Sequence, residues 1–125
     1  MAELWTPDAQ LRAVGARPRT DRGGVIEYFS KLFDPWPAHR DHPERMIVSE
    51  DDQTVVAEVT FTGTTPDGRD VRFEAVDVFD FEDGRICKLS NWYDIDYARR
   101  SLAPKSVPVS PAAAAADSNQ PQRED

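Results

Sequence analysis

The chain reads as an α+β domain in which a curved antiparallel sheet wraps on a helix. Three observations give that class. An apolar stripe at helical spacing, Val25, Ile26, Phe29, Leu32 and Phe33, stands ahead of the main run of strands. Behind it, β-rich alternating segments follow in quick succession with turn signals between them. After the last of these, the stretch from Asp94 or Asp96 to Leu102 returns to a helical composition.

Taken in order, Leu4 and Trp5 precede Pro7-Asp8, and Ala9–Val14 is a short strand ending at Gly15. Asp21 or Thr20 caps a helix over Gly23–Phe33, because a short polar side chain can accept an orphan N–H of the first turn. Pro35 and Pro37 stop that helix, and DPWPAHRDHP is a loop. Three or four strands come next. Arg45–Ser49 is short, Thr54–Thr62 is β-rich, Val71–Phe81 is long, and Arg85–Tyr93 is the last. Thr65-Pro66-Asp67-Gly68 is a hairpin signal, and Glu82-Asp83-Gly84 a second turn.

Residues 1–102 form the domain. From Ala103 onward the chain holds four of the ten prolines and no aromatic residue, a composition that cannot bury enough apolar area to offset its ordering. Residues 103–125 are therefore expected to be a disordered tail. The net charge is −8, nearly all of it in the body, which argues against nucleic acid and anionic membrane as partners. The single cysteine, Cys87, excludes an intrachain disulfide. With no signal peptide and no apolar run of spanning length, the expected location is cytoplasmic. His39 and His42 lie three apart in a loop without further ligands, so no metal and no cofactor are expected.

The long strand poses the chemical question. In FEAVDVFDF, Phe73, Ala75, Phe79 and Phe81 share one side with Asp77. A carboxylate on an apolar side must be paired, protonated or functional. A two-residue loop at Asp67-Gly68 would set Asp77 opposite Glu58, so that two acids share a face and titrate together. A bulge or an odd loop would instead put Val59 and Ala57 there. On the first register the outer face carries Val55, Ala57, Val59, Val76 and Val78, a patch apolar enough to predict a homodimer.

At this point the residues resemble a family. The run GTTPDGRDVRFEAVDVFDFEDGRICKLSNWYD, together with LWTPDAQLRAVGARPRTDRGGVIEYF, is similar to the SnoaL-like branch of the nuclear-transport-factor-2-like superfamily. The resemblance covers roughly residues 4–96. It implies a cone-shaped barrel, the sheet closed by helices around an apolar pocket, and N-terminal helices that this chain is expected to lack. Ketosteroid isomerases, limonene-epoxide-hydrolase-like enzymes and polyketide cyclases share that fold, as do binding proteins without catalytic activity. On the resemblance, Asp77 matches the position where the isomerases keep a protonated aspartate, and Leu89, Asn91 and Tyr93 match pocket-facing positions. Departures accompany the match. The isomerases' first-strand acid falls near Ala13-Val14, where none stands. The hydrolases' Arg and Asp fall at Glu58 and Thr60, and their second Asp at Asn91.

Two functions follow from these residues. The first is cofactor-free acid/base chemistry (isomerase, cyclase or dehydratase type) on a small hydrophobic oxygenated molecule, such as a polyketide- or steroid-like ketone. Asp77 and Glu58 would be catalytic, with Asn91, Tyr93, Leu89, Phe73, Phe29 and Trp5 binding the substrate. The second is a non-catalytic ligand-binding or dimerisation module of the same fold.

Overall fold

The computed structural model describes residues 2–104. The expected tail thus lies outside the described residues from Lys105 on. A 3-10 turn at Ala2–Leu4 leads into β1 (Trp5–Ala13), α1 (Arg22–Phe33), β2 (Ala38–Val48), β3 (Thr54–Thr64), β4 (Asp70–Glu82), β5 (Arg85–Tyr93) and α2 (Ile95–Leu102). Among the described residues no α-helix precedes β1, and none is long and apolar enough to cross a membrane.

Both helices start where a carboxylate can accept an orphan N–H. Asp21 accepts from the Gly24 amide at 2.7 Å, and Asp94 from the Tyr97 amide at 2.9 Å. The strands form one sheet in the order β1-β5-β4-β3-β2. β2 to β5 are an antiparallel meander, whereas β1 lies parallel beside β5. The sheet is therefore mixed, and with two free edges it curves around its contents without closing into a barrel. Under α1, Trp5, Ala9, Leu11, Ala13, Val25 and Leu89 form the main core. Trp36, Phe61 and Val71 form a second cluster towards the other end.

Two expectations are corrected. The segment expected as a loop, Asp34–Pro43, gives most of its length to β2, which begins at Ala38. Its charges and proline fit an edge strand: only His42 is even half-buried, and an edge residue can dispense with one ladder N–H. Pairing jumps from Pro43 to Arg45, leaving Glu44 in a bulge.

The second correction is the register of β3 on β4. Thr64 pairs with Asp70, so the loop between them holds five residues. Its turn is closed by the Gly68 amide donating to the Thr65 carbonyl at 2.9 Å, with Gly68 at φ +85°. The Thr65 hydroxyl then accepts the Arg69 amide at 3.0 Å, which holds the fifth residue in the loop. As a result Asp77 faces Ala57, and Glu58 faces Val76. Glu58 is on the opposite side of the sheet from Asp77. The expected outer patch splits in the same way. Val55, Ala57 and Val59 are concave-side residues level with Phe79, Asp77 and Ala75, while Val76 and Val78 lie on the convex side with Val56.

Candidate active site

The concave side of the sheet, α1 and α2 enclose a cavity of about 260 Å³. β4 contributes Phe73, Ala75 and Asp77, and β5 contributes Asn91 and Tyr93. α1 supplies Tyr28, Phe29, Leu32 and Phe33, and α2 supplies Ile95, Ala98, Arg99 and Leu102. The walls are mostly apolar, with seven aromatic rings among the lining residues. Phe73 stacks between Phe61 (4.6 Å between centroids) and Tyr93 (5.4 Å), and Phe29 stacks on Phe33.

Asp77 stands half-buried in this lining. The Asn91 amide, directly across on β5, donates to its Oδ1, and no cation pairs with it among the described residues. Burial pushes its pKa up. The Asn91 hydrogen bond opposes that shift, and the negative charge of Asp41 reinforces it. The other side-chain atom of Asn91, Oδ1, is buried without a partner. A buried orphan acceptor lining a cavity is a place for a ligand's donor.

Asp41 is the second acid, and the sequence reading missed it. It sits on β2 opposite Phe61, at the cavity rim. The residue as a whole is exposed, yet the part of the carboxyl that is covered raises its pKa, with His39 and His42 pulling the other way. The two histidines diverge. His39 stacks on Phe33 at 4.3 Å, whereas the His42 ring contacts the Thr62 hydroxyl at 3.3 Å. Among the described residues no three His, Cys, Asp or Glu side chains gather closely enough to hold a metal ion.

A pair of phenols completes the polar inventory. Tyr28 on α1 and Tyr93 on β5 share a hydrogen bond. Burial and the neighbouring Tyr93 push Tyr28 up to about 12, against Arg19 and Arg99. Tyr93 is also raised by burial, with Tyr28 and Arg99 opposing. Both therefore stay protonated and able to donate at neutral pH.

Of the residues expected at the site, Asp77, Asn91, Tyr93, Phe73 and Phe29 line one cavity. Trp5 and Leu89 do not: both are about 4 % exposed and belong to the main core. Glu58 is on the far side of the sheet, 3.8 Å from Arg45. Asp41, Tyr28 and Arg99 were not anticipated. A helical projection of α1 would have found Tyr28, one position before Phe29. Asp41 has no signal in the sequence, because its segment has the composition of a loop.

Comparison with known proteins agrees with this architecture. A family model described as a SnoaL-like domain matches residues 1–89. A Jannaschia sp. CCS1 protein described as a SnoaL-like polyketide cyclase superposes with a TM-score of 0.73 at 20% identity, over 82% of this chain and 76% of that one. An NTF2-like protein from Burkholderia pseudomallei K96243 gives 0.72 at 19%, over 82% of each chain. The epoxide hydrolase/cyclase-like enzyme SalBIII, described in pyran ring formation of the polyether salinomycin, gives 0.65 at 23%, over 76% of each. At these identities the likeness shows the fold alone. No curated protein matches the sequence. With the family model spanning well over half its length, the chain belongs to the SnoaL-like domain family, on the NTF2-like α+β fold.

Proposed function

We propose that the cavity carries out cofactor-free acid/base chemistry on a small hydrophobic ketone: enolisation leading to isomerisation, cyclisation or dehydration. One observation carries this reading. Asp77, an acid without a cation, is held among aromatic walls where burial and Asp41 both favour its protonated form. A neutral carboxyl can donate a hydrogen bond to a carbonyl oxygen and stabilise the enolate that forms there. At Asp41 burial raises the pKa, while the charges of His39 and His42 favour its ionised form. It serves as the base that takes the α-proton, which balances the step as a transfer from carbon to carboxylate. Asn91 fixes the orientation of Asp77. Cyclase-type neighbours such as the Jannaschia protein and SalBIII support the reaction class without setting the substrate.

The test is deuterium exchange of the methyl protons of 2-acetylnaphthalene, followed by proton NMR. Wild-type protein should accelerate exchange, and Asp77→Asn should reduce it by roughly 10²–10⁴-fold, the span of one general acid/base group. Tight binding of the ketone with no exchange above buffer would instead identify a non-catalytic binding module.

We also propose that a second copy covers the convex face. There Ile47, Val76 and Trp92 are 46%, 37% and 41% exposed, alongside Val56 and Val78. Sedimentation velocity at micromolar concentration should give a dimer, and Val76→Lys should give a monomer. A wild-type monomer would overturn this assembly.

A further inference from the structure

The last helix presents an unusual residue to the cavity. α2 lines it with Ile95, Ala98, Arg99 and Leu102, the i, i+3, i+4, i+7 stripe of an amphipathic helix. Three of these are apolar, as such a stripe requires. The fourth is a guanidinium.

Neighbouring arginines are accounted for by partners. Arg100 pairs with Asp96 at 3.0 Å and lies over the Tyr97 ring, and Arg69 pairs with Asp67 at 2.9 Å. No carboxylate pairs with Arg99 among the described residues. Its Nη2 approaches to within 3.5 Å of the point where a Cβ on Gly15 would lie. Its charge also reaches the Tyr28 and Tyr93 hydroxyls. A cation in the last helical turn favours the helix dipole, but Arg100, one residue on, already supplies one. Arg99 is exposed as a whole, yet it lies on the stripe that lines the cavity, which the dipole does not explain.

We propose that Arg99, with the Tyr28 and Tyr93 hydroxyls, is an anion-recognition subsite, so that the ligand of this cavity is an amphiphile bearing a carboxylate or similar oxyanion. This rests on the proposed ketone chemistry and specifies its substrate class. Asn91 marks the acid end of the cavity and Tyr93 the cationic end, two residues apart on β5. At about 3.3 Å per strand residue, the two ends are separated by roughly 7 Å. The carbonyl and the oxyanion then lie about one ring system apart. The guanidinium forks onto the oxyanion while the Tyr93 hydroxyl, accepting from Tyr28, donates to it. Opposite signs at the two ends fix the direction in which the ligand enters.

The experiment compares 6-acetyl-2-naphthoate with 2-acetylnaphthalene, the same ketone with and without the carboxylate, by equilibrium titration. Wild-type protein should bind the carboxylate form at least about tenfold more tightly, as a charge-assisted hydrogen bond to one group warrants. Arg99→Gln should bring that ratio close to one, and Arg99→Lys should keep part of it. A wild-type ratio near one, or a preference that survives in Arg99→Gln, overturns the anion subsite. In either case, Asp77-dependent exchange of the neutral ketone still reports on the acid/base chemistry separately. If neither compound binds wild-type protein, the reading of the cavity fails and the subsite falls with it.

Discussion

Asp77 and Glu58 are both acids on adjacent inner strands, one residue apart in register, and they have opposite fates. Asp77 looks into an aromatic cavity, where burial raises its pKa, and is steadied by an amide. Glu58 lies on the convex side with its side chain about half exposed, beside Arg45. Their residue types hardly differ. What separates them is the parity of one hairpin, because a one-residue shift turns every side chain of a strand to the other face. The five-residue loop from Thr65 to Arg69 thus decides which carboxylate faces the cavity.

The sharpest way to break this comparison is to move a charge across it. Ala57 is 2 % exposed and directly opposite Asp77. Ala57→Glu buries an uncompensated carboxylate beside another and should cost about 3–5 kcal/mol in chemical denaturation. Glu58→Ala removes only an exposed pair and should cost under about 1 kcal/mol. The other register would reverse the two results.

A smaller effect sharpens the comparison through pH. Burial, reinforced by Asp41, raises the pKa of Asp77 in the folded protein, above the ~4 of a carboxyl in the unfolded chain. The folded state therefore holds that proton more tightly. The stability it contributes is full below the unfolded value and is lost as pH rises through the folded one. Denaturation midpoints of the wild type should fall as pH climbs from about 4 towards neutrality, and those of Asp77→Asn should fall less. Equal slopes would place the Asp77 carboxyl in water.

Much of the fold was legible because its signals are local. Asp21 and Asp94 cap the helices from the sequence itself, and β5 and α2 lie where composition put them. β2 was hidden because an edge strand needs no alternating apolar face, so its charges and Pro43 read as loop. The register was misread for a different reason. Asp67-Gly68 suggests a two-residue hairpin, but Pro66 before it favours a turn starting at Thr65, with glycine at its fourth position. That Asp77 faces the cavity is legible from its place on an apolar side, and that Asn91 and Tyr93 do so follows from the family resemblance. Asp41 and Arg99 carry no such signal, because a rim residue on an edge strand and a cation on a terminal helix reach the cavity lining only through tertiary closure.

The parallel pairing of β1 with β5 has a consequence for the order of assembly. The main core joins Trp5, Ala9 and Leu11 to Leu89, so the beginning of the chain must wait for its last strand. The β2–β3–β4 meander closes through short loops and can form early, whereas joining β1 to β5 carries the entropy of a loop spanning most of the domain. During synthesis the cavity therefore comes into being last, when β5 arrives and α2 settles against Gly15. A Cβ at Gly15 would lie 2.5 Å from Ile95 Cδ1. The cavity, on this account, is a late product of folding, and a chain stalled before β5 holds the acids without the site.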